Sequence, residues 1–456
     1  MRQSLGSPAP LVGRDQKRTS VRRWMGVLLA LLVGGLVVGT SLAAAGSDPD
    51  WLASAPKNIS SSPLDLAWQP NIATTASGEM VVAWSDQRLG AESGDEPRNI
   101  YVIASDDDGR TWTTAPMTVA ATAENSFAPN LIAVQERIFV VWVDGAPPSA
   151  LYEAERIAPD TWERRGIPSP ASLINTHSDV VYGAGHLHVV FNAGTYNVPD
   201  ILYAARPLTA TTWPTATVAF THTALLGSAN PRLVISPDET VLHMVWEERA
   251  SSNLRSIMYM NGELSGEGVN WTTPTQLSTG GTLSFWPDIA SDSQDNLYVV
   301  WGEKGTEGAY VRYAYRDAAA GSWTIQGQAI DADPVTVNEL LPTDIIPRLA
   351  LREESQMTRA CVVWYGFREG ATALAEEVLL SCSTDRGQTW SAPVNVSRTT
   401  GEDDISIAPA IAFDAQGQLH SVWQEHVGGS ITRNYEIYHA YAYYTVFMPL
   451  VVKNWS

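Results

Sequence analysis

Seven short runs of β-branched and apolar residues, at 81–84, 140–142, 189–191, 244–246, 299–301, 362–364 and 421–423, each close on a large aromatic. These endings are Trp84, Trp142, Phe191, Trp246, Trp301, Trp364 and Trp423, spaced 49 to 63 residues apart. A proline-containing run precedes six of them, at Pro70, Pro129, Pro231, Pro287, Pro347 and Pro409; the repeat around Phe191 lacks the proline. A tyrosine-bearing run follows most endings, and then a second tryptophan: Trp112, Trp162, Trp213, Trp271, Trp323 or Trp390. Four short strands per unit at such a period mark a propeller blade. The spacing therefore predicts an all-β fold, a seven-bladed β-propeller with four-stranded antiparallel blades over residues 46–445. Length alone, at 456 residues, would suggest two or three domains. A linear β array is the competing arrangement.

The last unit has no second tryptophan of its own, and the missing element stands at the other end of the chain. Trp51-Leu-Ala-Ser-Ala-Pro56-Lys-Asn58-Ile-Ser60 reads like Trp390-Ser-Ala-Pro393-Val-Asn395-Val-Ser397. The N-terminal segment is thus expected to supply the outer strand of the final blade, closing the ring and removing its open edge.

Residues 1–23 carry six basic residues, an apolar stretch runs from 25 to 42, and Ala43-Ala44-Ala45 follows. This is the layout of a signal peptide, or of an N-terminal membrane anchor if it is retained. Either puts the rest of the chain outside the cytoplasm, secreted or at the cell surface, with any membrane contact made through that segment. The net charge of -20 excludes a general attraction for nucleic acid or anionic membranes. Two cysteines exclude a disulfide scaffold and a cysteine-rich zinc module. Cys361 and Cys382 fall on adjacent strands of the sixth unit and face each other if the hairpin between them is centred near 371–372; a disulfide and two buried thiols both fit. Residues 446–456 form a short apolar tail. No cofactor or metal is implied, and a monomer is expected. His188, His243 and His420 share one repeat register, but mid-strand in different blades they do not converge, so packing is the expected role.

Two turns share a tight motif, Ser105-Asp-Asp107-Asp-Gly109-Arg-Thr111-Trp112 and Ser383-Thr-Asp385-Arg-Gly387-Gln-Thr389-Trp390. Asp accepts backbone N–H groups across the turn, and Gly takes the positive-φ position. The pattern resembles the Asp-box, or BNR repeat, of the sialidase-like propellers. In that family the box is a structural turn away from the catalytic mouth, so the resemblance implies a structural role for these residues.

The family's catalytic set is an arginine triad, a Tyr/Glu nucleophile pair and an Asp acid/base. Its first arginine lies two residues before a first-strand proline, where this chain has Trp68, Phe127, Ala229, Phe285, Ile345 and Ile407. Asp95 and Glu96 stand near the family's acid/base position but out of register, and no tyrosine aligns as nucleophile. The resemblance therefore carries the fold and not the activity.

Five units continue Trp-x-Asp/Glu, at Asp86, Asp144, Glu248, Glu303 and Glu425, with Arg88, Arg249, Lys304 or His426 close behind; Tyr365 and Arg368 take similar places in the sixth. These strand ends should open on one face beside Trp68. They predict a polar, aromatic-edged mouth that binds an extracellular glycan or protein without catalysis. Solvated acids pairing with neighbouring bases are the bland alternative. A divergent sialidase-like glycoside hydrolase and a rigid envelope spacer are the other functional readings. An acidic ring should repel an anionic sugar unless three arginines converge, drawn from Arg88, Arg249 and Arg368, or with Arg232 and Arg348 substituting.

Overall fold

The computed structural model describes residues 51–62, 67–87, 97–120, 124–145, 150–170, 174–195, 198–252, 254–266, 268–279, 283–305, 308–331, 345–355, 357–367, 376–398, 405–426 and 435–444. The leader, the C-terminal tail, Arg88, Arg368, Asp95 and Glu96 lie outside them. The fold is an all-β propeller of four-stranded antiparallel blades, and the described strands pair in seven successive antiparallel groups.

Blade 1 comprises Ala67–Thr74, Met80–Asp86, Asn99–Ser105 and Met117–Ala120; blade 2, Ser126–Val134, Arg137–Asp144, Ala150–Ala158 and Thr161–Ile167. Blade 3 comprises Ile174–Gly183, His186–Thr195, Val198–Pro207 and Thr217–Phe220. Blade 4 has Ser228–Ile235, Val241–Ser251 and Leu254–Ser265, with Gly268–Trp271 and Thr275–Gln276 outside. Blade 5 comprises Leu283–Ser291, Leu297–Lys304, Ala309–Asp317 and Ser322–Ala329. Blade 6 comprises Arg348–Glu354, Met357–Phe367, Glu376–Ser383 and Val394–Asn395. Blade 7 has Ile405–Phe413, Leu419–His426 and Tyr435–Tyr444, and its outer strands are Trp51–Ala53 and Lys57–Asn58 from the start of the chain.

That last pairing matches Trp51 with Tyr444 and Asn58 with Tyr438. Ile59 of the same segment joins Ile72, Trp84, Ala410 and Val422 in one cluster, so blades 7 and 1 share a core.

Second strands lie between neighbouring blades and are covered on both faces. This is why they read as continuous apolar runs rather than alternating ones. The tryptophans that end them are fully buried, from Trp84 to Trp423. Each removes about 150–250 Å² from water, about 4–6 kcal/mol of transfer free energy. Cys361 and Cys382 stand directly opposite and are joined by a disulfide.

First strands carry a bulge at the proline. The register jumps between Trp68 and Asn71, Phe127 and Asn130, Ala229 and Arg232, Phe285 and Asp288, and Ile407 and Ala410. Proline has no N–H to give the ladder, so a bulge accommodates it. The residue before it takes a left-handed conformation: Gln69 at φ 54, Ala128 at 48, Asn230 at 51, Trp286 at 52 and Ala408 at 50. Each such residue costs about 1 kcal/mol. The bulge turns the residue after the proline toward the propeller axis.

The two S-x-D-x-G-x-T-W turns are closed alike. Gly109 N donates to Ser105 Oγ (3.0 Å) and Thr111 N to Asp107 Oδ1 (2.7 Å). Gly387 N donates to Ser383 Oγ (2.9 Å) and Thr389 N to Asp385 Oδ1 (2.9 Å). Hydrogen bonds from the Thr111 hydroxyl and amide hold the exposed Asp107 carboxyl down at about 2.

Candidate functional site at the propeller axis

The residues that follow the first-strand prolines, with Asp179 of blade 3, come to the axis from all seven blades. Asn71, Asn130, Asp179, Arg232, Asp288, Arg348 and Ala410 line one cavity of about 160 Å³. Five of them are polar partners of each other or of the next blade. Arg232 Nη1 donates to Asn130 Oδ1 (3.2 Å) and Asp179 Oδ1 (3.3 Å), and its Nε lies 3.9 Å from Asp288 Oδ1. Asp179 accepts the Leu233 amide (2.8 Å), Asp288 the Leu349 amide (2.9 Å) and Asn71 the Leu131 amide (3.3 Å). The axis is therefore a stitched charge network as well as a potential ligand floor.

Above it, toward the starts of the first strands, lies a smaller cavity of about 70 Å³, where Gln69, His177, Trp286, Arg232 and Arg348 meet. The His177 ring stands edge-on to Trp286 with centroids 4.6 Å apart. Burial pushes His177 down to about 3, helped by the charges of Arg232, Arg348 and Arg249. Burial also lowers Arg348 to about 9, with Arg232 as the next cause, against partial compensation by Asp288 and Asp179. For both groups burial is the larger cause and the neighbouring arginines the next.

A second cluster stands at the same end, on blades 6, 7, 1 and 2. The Arg98 guanidinium lies 3.6 Å over the Trp68 ring and 5.4 Å from the Phe127 ring. Tyr435 lies 6.3 Å from Trp68 and 5.3 Å from His426, centroid to centroid. Glu376 is buried, and burial lifts its carboxyl to about 7. Tyr435 is raised by its own burial and then by the charge of Glu376.

The predicted acid ring is placed differently from the expectation. Asp86, Asp144, Glu248, Glu303 and Glu425 are buried and bonded within the fold. Asp86 accepts Trp84 Nε1 (3.1 Å) and Ser62 Oγ (3.0 Å). Glu248 accepts Trp246 Nε1 (3.3 Å), Ser228 Oγ (2.6 Å) and the amides of Thr223 (2.7 Å) and Ala224 (2.8 Å). Glu425 accepts Trp423 Nε1 (2.6 Å) and Ser406 Oγ (2.7 Å). Asp144 pairs with Arg164 (2.9 Å), and Glu303 with Arg312 (3.0 Å). An acid two residues past the aromatic locks the indole, a first-strand serine or a neighbouring arginine. It does not form an open carboxylate ring.

Of the other predicted residues, Trp68 and His426 join the Arg98 cluster. Tyr365 is buried and raises Arg348 electrostatically. Arg249 is half-buried and acts on His177, while Lys304 is exposed. The three register histidines find separate partners. His188 Nδ1 is 2.7 Å from the Tyr203 hydroxyl, His243 Nδ1 2.8 Å from that of Tyr259, and His420 Nε2 3.1 Å from Asp414 Oδ2.

Sequence reasoning missed His177, Arg98, Glu376 and Tyr435. His177 sits in the blade without the proline mark, and the other three are ends of third strands, where no repeat signal points. Trp286 and Asp288, which flank Pro287, were not singled out either, whereas Arg232 and Arg348 were, as residues that follow their prolines.

No family model matches the chain, and no curated protein matches it in sequence. Among solved structures, an ulvan lyase of polysaccharide lyase family PL25, bound to -[GlcA(1-4)Rha3S]-, is similar with a TM-score of 0.56 and 10% identity, over 84% of this chain and 95% of that one. A protein of unknown function from Dyadobacter fermentans gives 0.51 and 12% over 87% and 99%. The NanB sialidase of Streptococcus pneumoniae gives 0.46 and 10% over 86% and 70%, and supports nothing further. At these identities the likeness bears on the fold alone, a propeller. Among the described residues no helix is long and apolar enough to cross a membrane.

Proposed function

We propose that this chain is an extracytoplasmic propeller that binds an acidic glycan at its mouth, with Arg232 and Arg348 facing the sugar's carboxylate and Trp286 its ring. The convergence of these two arginines on the axis beneath Trp286 carries the reading. Guanidinium groups hold carboxylates through paired N–H donors. Arg348 supports it, since burial lowers it against only partial compensation by Asp288 and Asp179, and a bound anion would add to that compensation. Local potential outweighs the net charge of the chain, because charges more than about 10 Å apart are screened at ordinary ionic strength.

Calorimetry with glucuronate- and sialate-terminated oligosaccharides tests this. Binding is expected for the acidic sugars and weakens by at least about tenfold in Arg348→Met. Equal binding of neutral counterparts, with no effect of Arg348→Met, overturns it.

A second reading, glycoside hydrolysis, is favoured by one observation. Glu376 is half-protonated near neutral pH and lies close enough to Tyr435 to shift it, a combination suited to proton transfer. Turnover of a fluorogenic sialoside that disappears in Glu376→Gln would make the protein an enzyme. Binding without turnover leaves it a lectin-like module.

A further inference from the structure

On the face opposite the mouth, between blades 3 and 4, lies a cavity of about 640 Å³. Its origin is visible in the repeat. One third-strand position, opposite the residue before the buried aromatic, holds Tyr203 in blade 3, Tyr313 in blade 5 and His439 in blade 7. The next blade covers this ring. Over His439 sits the blade 1 turn, with Gly109 so close that a Cβ would strike the imidazole and Trp112 edge-on at 5.0 Å. Over Tyr313 sits the blade 6 turn, with Gly387 against the phenol and Trp390 at 5.1 Å.

Over Tyr203 that plug is missing. Trp271 of blade 4 still packs edge-on at 5.8 Å. But blade 4 has a two-stranded hairpin instead of an S-x-D-x-G-x-T-W turn, pairing Leu264 with Val269 and Ser265 with Gly268. The hairpin leaves open the space that the glycine turn fills elsewhere, and Leu264, Gly266 and Gly268 become one wall of the cavity. The loop after the third strand of blade 3 makes the opposite wall, with Trp213 and the exposed Thr212 and Thr215.

Among the described residues, the lining contains no Asp, Glu, Lys or Arg, in a chain with 29 basic and 49 acidic residues. Its inner histidine, His188, is neutral at pH 7, because burial lowers it to about 4. Aromatic faces from Tyr203 and Trp213 combine with threonine hydroxyls. The volume lies within the roughly 300–1,000 Å³ of small-molecule sites. The two axial cavities, at about 70 and 160 Å³, are far smaller.

We infer that this gap is a second ligand site, distinct from the mouth, which takes a neutral sugar unit through its aromatic faces and hydroxyls. The two sites would let one propeller hold an acidic and a neutral part of a glycan, or two chains, at opposite ends.

Saturation-transfer NMR on the full chain with lactose, cellobiose and maltose tests the assignment, with affinity read from tryptophan fluorescence. At least one sugar is expected to show transfer. Thr212→Trp and Thr215→Trp, on the exposed wall, should each weaken its binding by at least about tenfold while leaving glucuronate binding at the mouth unchanged. Saturating glucuronate should not displace it. No transfer from any of the three sugars overturns the proposal. So does binding that survives both wall variants, displacement by glucuronate, or a cavity that takes toluene and none of the sugars.

Discussion

Two sets of polar residues recur at the mouth end of the blades, and they have opposite fates. The acids two positions past the buried aromatic are consumed locally: Glu248 alone accepts five hydrogen bonds from its own or the preceding blade. The residues one position past the proline are turned to the axis, where seven chain segments meet and no single blade can satisfy them. Arg348 has one hydrogen bond among the described residues, to the Pro347 carbonyl, and two arginines share two aspartates there. A repeated position therefore says little about function by itself. What matters is whether the fold around it uses up the side chain's bonding capacity. The first set ties neighbouring segments together; the second gathers charge at the axis.

Substitution separates the two sets. The largest effect is expected for Glu248→Ala, which removes the acceptor of two part-buried amides, the buried Ser228 hydroxyl and a buried indole N–H. Denaturant unfolding should show a loss of about 3–4 kcal/mol, with acidic-glycan affinity retained by the folded fraction. Loss of binding without loss of stability would merge the two sets again.

Next comes Glu376, which belongs to neither set. Its carboxyl is held near 7 when folded and titrates near 4.5 when unfolded. The folded state keeps an additional proton between those values, so its stability contribution is full below about 4.5 and disappears as pH climbs through 7. Unfolding free energies measured from pH 4 to 8 should fall relative to Glu376→Gln by up to about 3 kcal/mol. A flat difference between the two proteins would remove Glu376 as a group that titrates near neutrality.

The smallest effect on stability is expected at the axis. Arg348→Met removes a buried, under-compensated charge and should change stability by less than about 1 kcal/mol, even as it removes acidic-glycan binding. A loss comparable to that of Glu248→Ala would make the axis structural as well.

Much of the architecture was legible because it is carried by local periodicity. The buried Trp endings marked the second strands. The likeness of residues 51–60 to the stretch after Trp390 foretold the strand that pairs with Tyr435–Tyr444. The facing of Cys361 and Cys382 followed from counting back from a hairpin centre. Arg232 and Arg348 were readable as residues following inner-strand prolines. For the Trp-x-Asp/Glu acids, the alternative of pairing with neighbouring bases describes Asp144 with Arg164 and Glu303 with Arg312, while the serine and amide partners of Asp86, Glu248 and Glu425 lie on other segments and leave no mark in the repeat. His177 was hidden by the missing proline of blade 3.

What the sequence determined alone is the set of interactions that repeat within one blade: β runs covered on both faces, proline bulges, and turns closed by an aspartate and a glycine. Each depends on residues a few positions apart, so pattern reveals it. Tertiary structure alone decided what happens between blades. It set which carboxylates are spent, which arginines meet under Trp286, and where a hairpin leaves a cavity beside Tyr203. The meeting of arginines and the opening beside Tyr203 depend on residues about 50 or more positions apart brought within hydrogen-bonding or van der Waals distance, and the potential and free volume at such a place are sums over several blades that no single repeat contains.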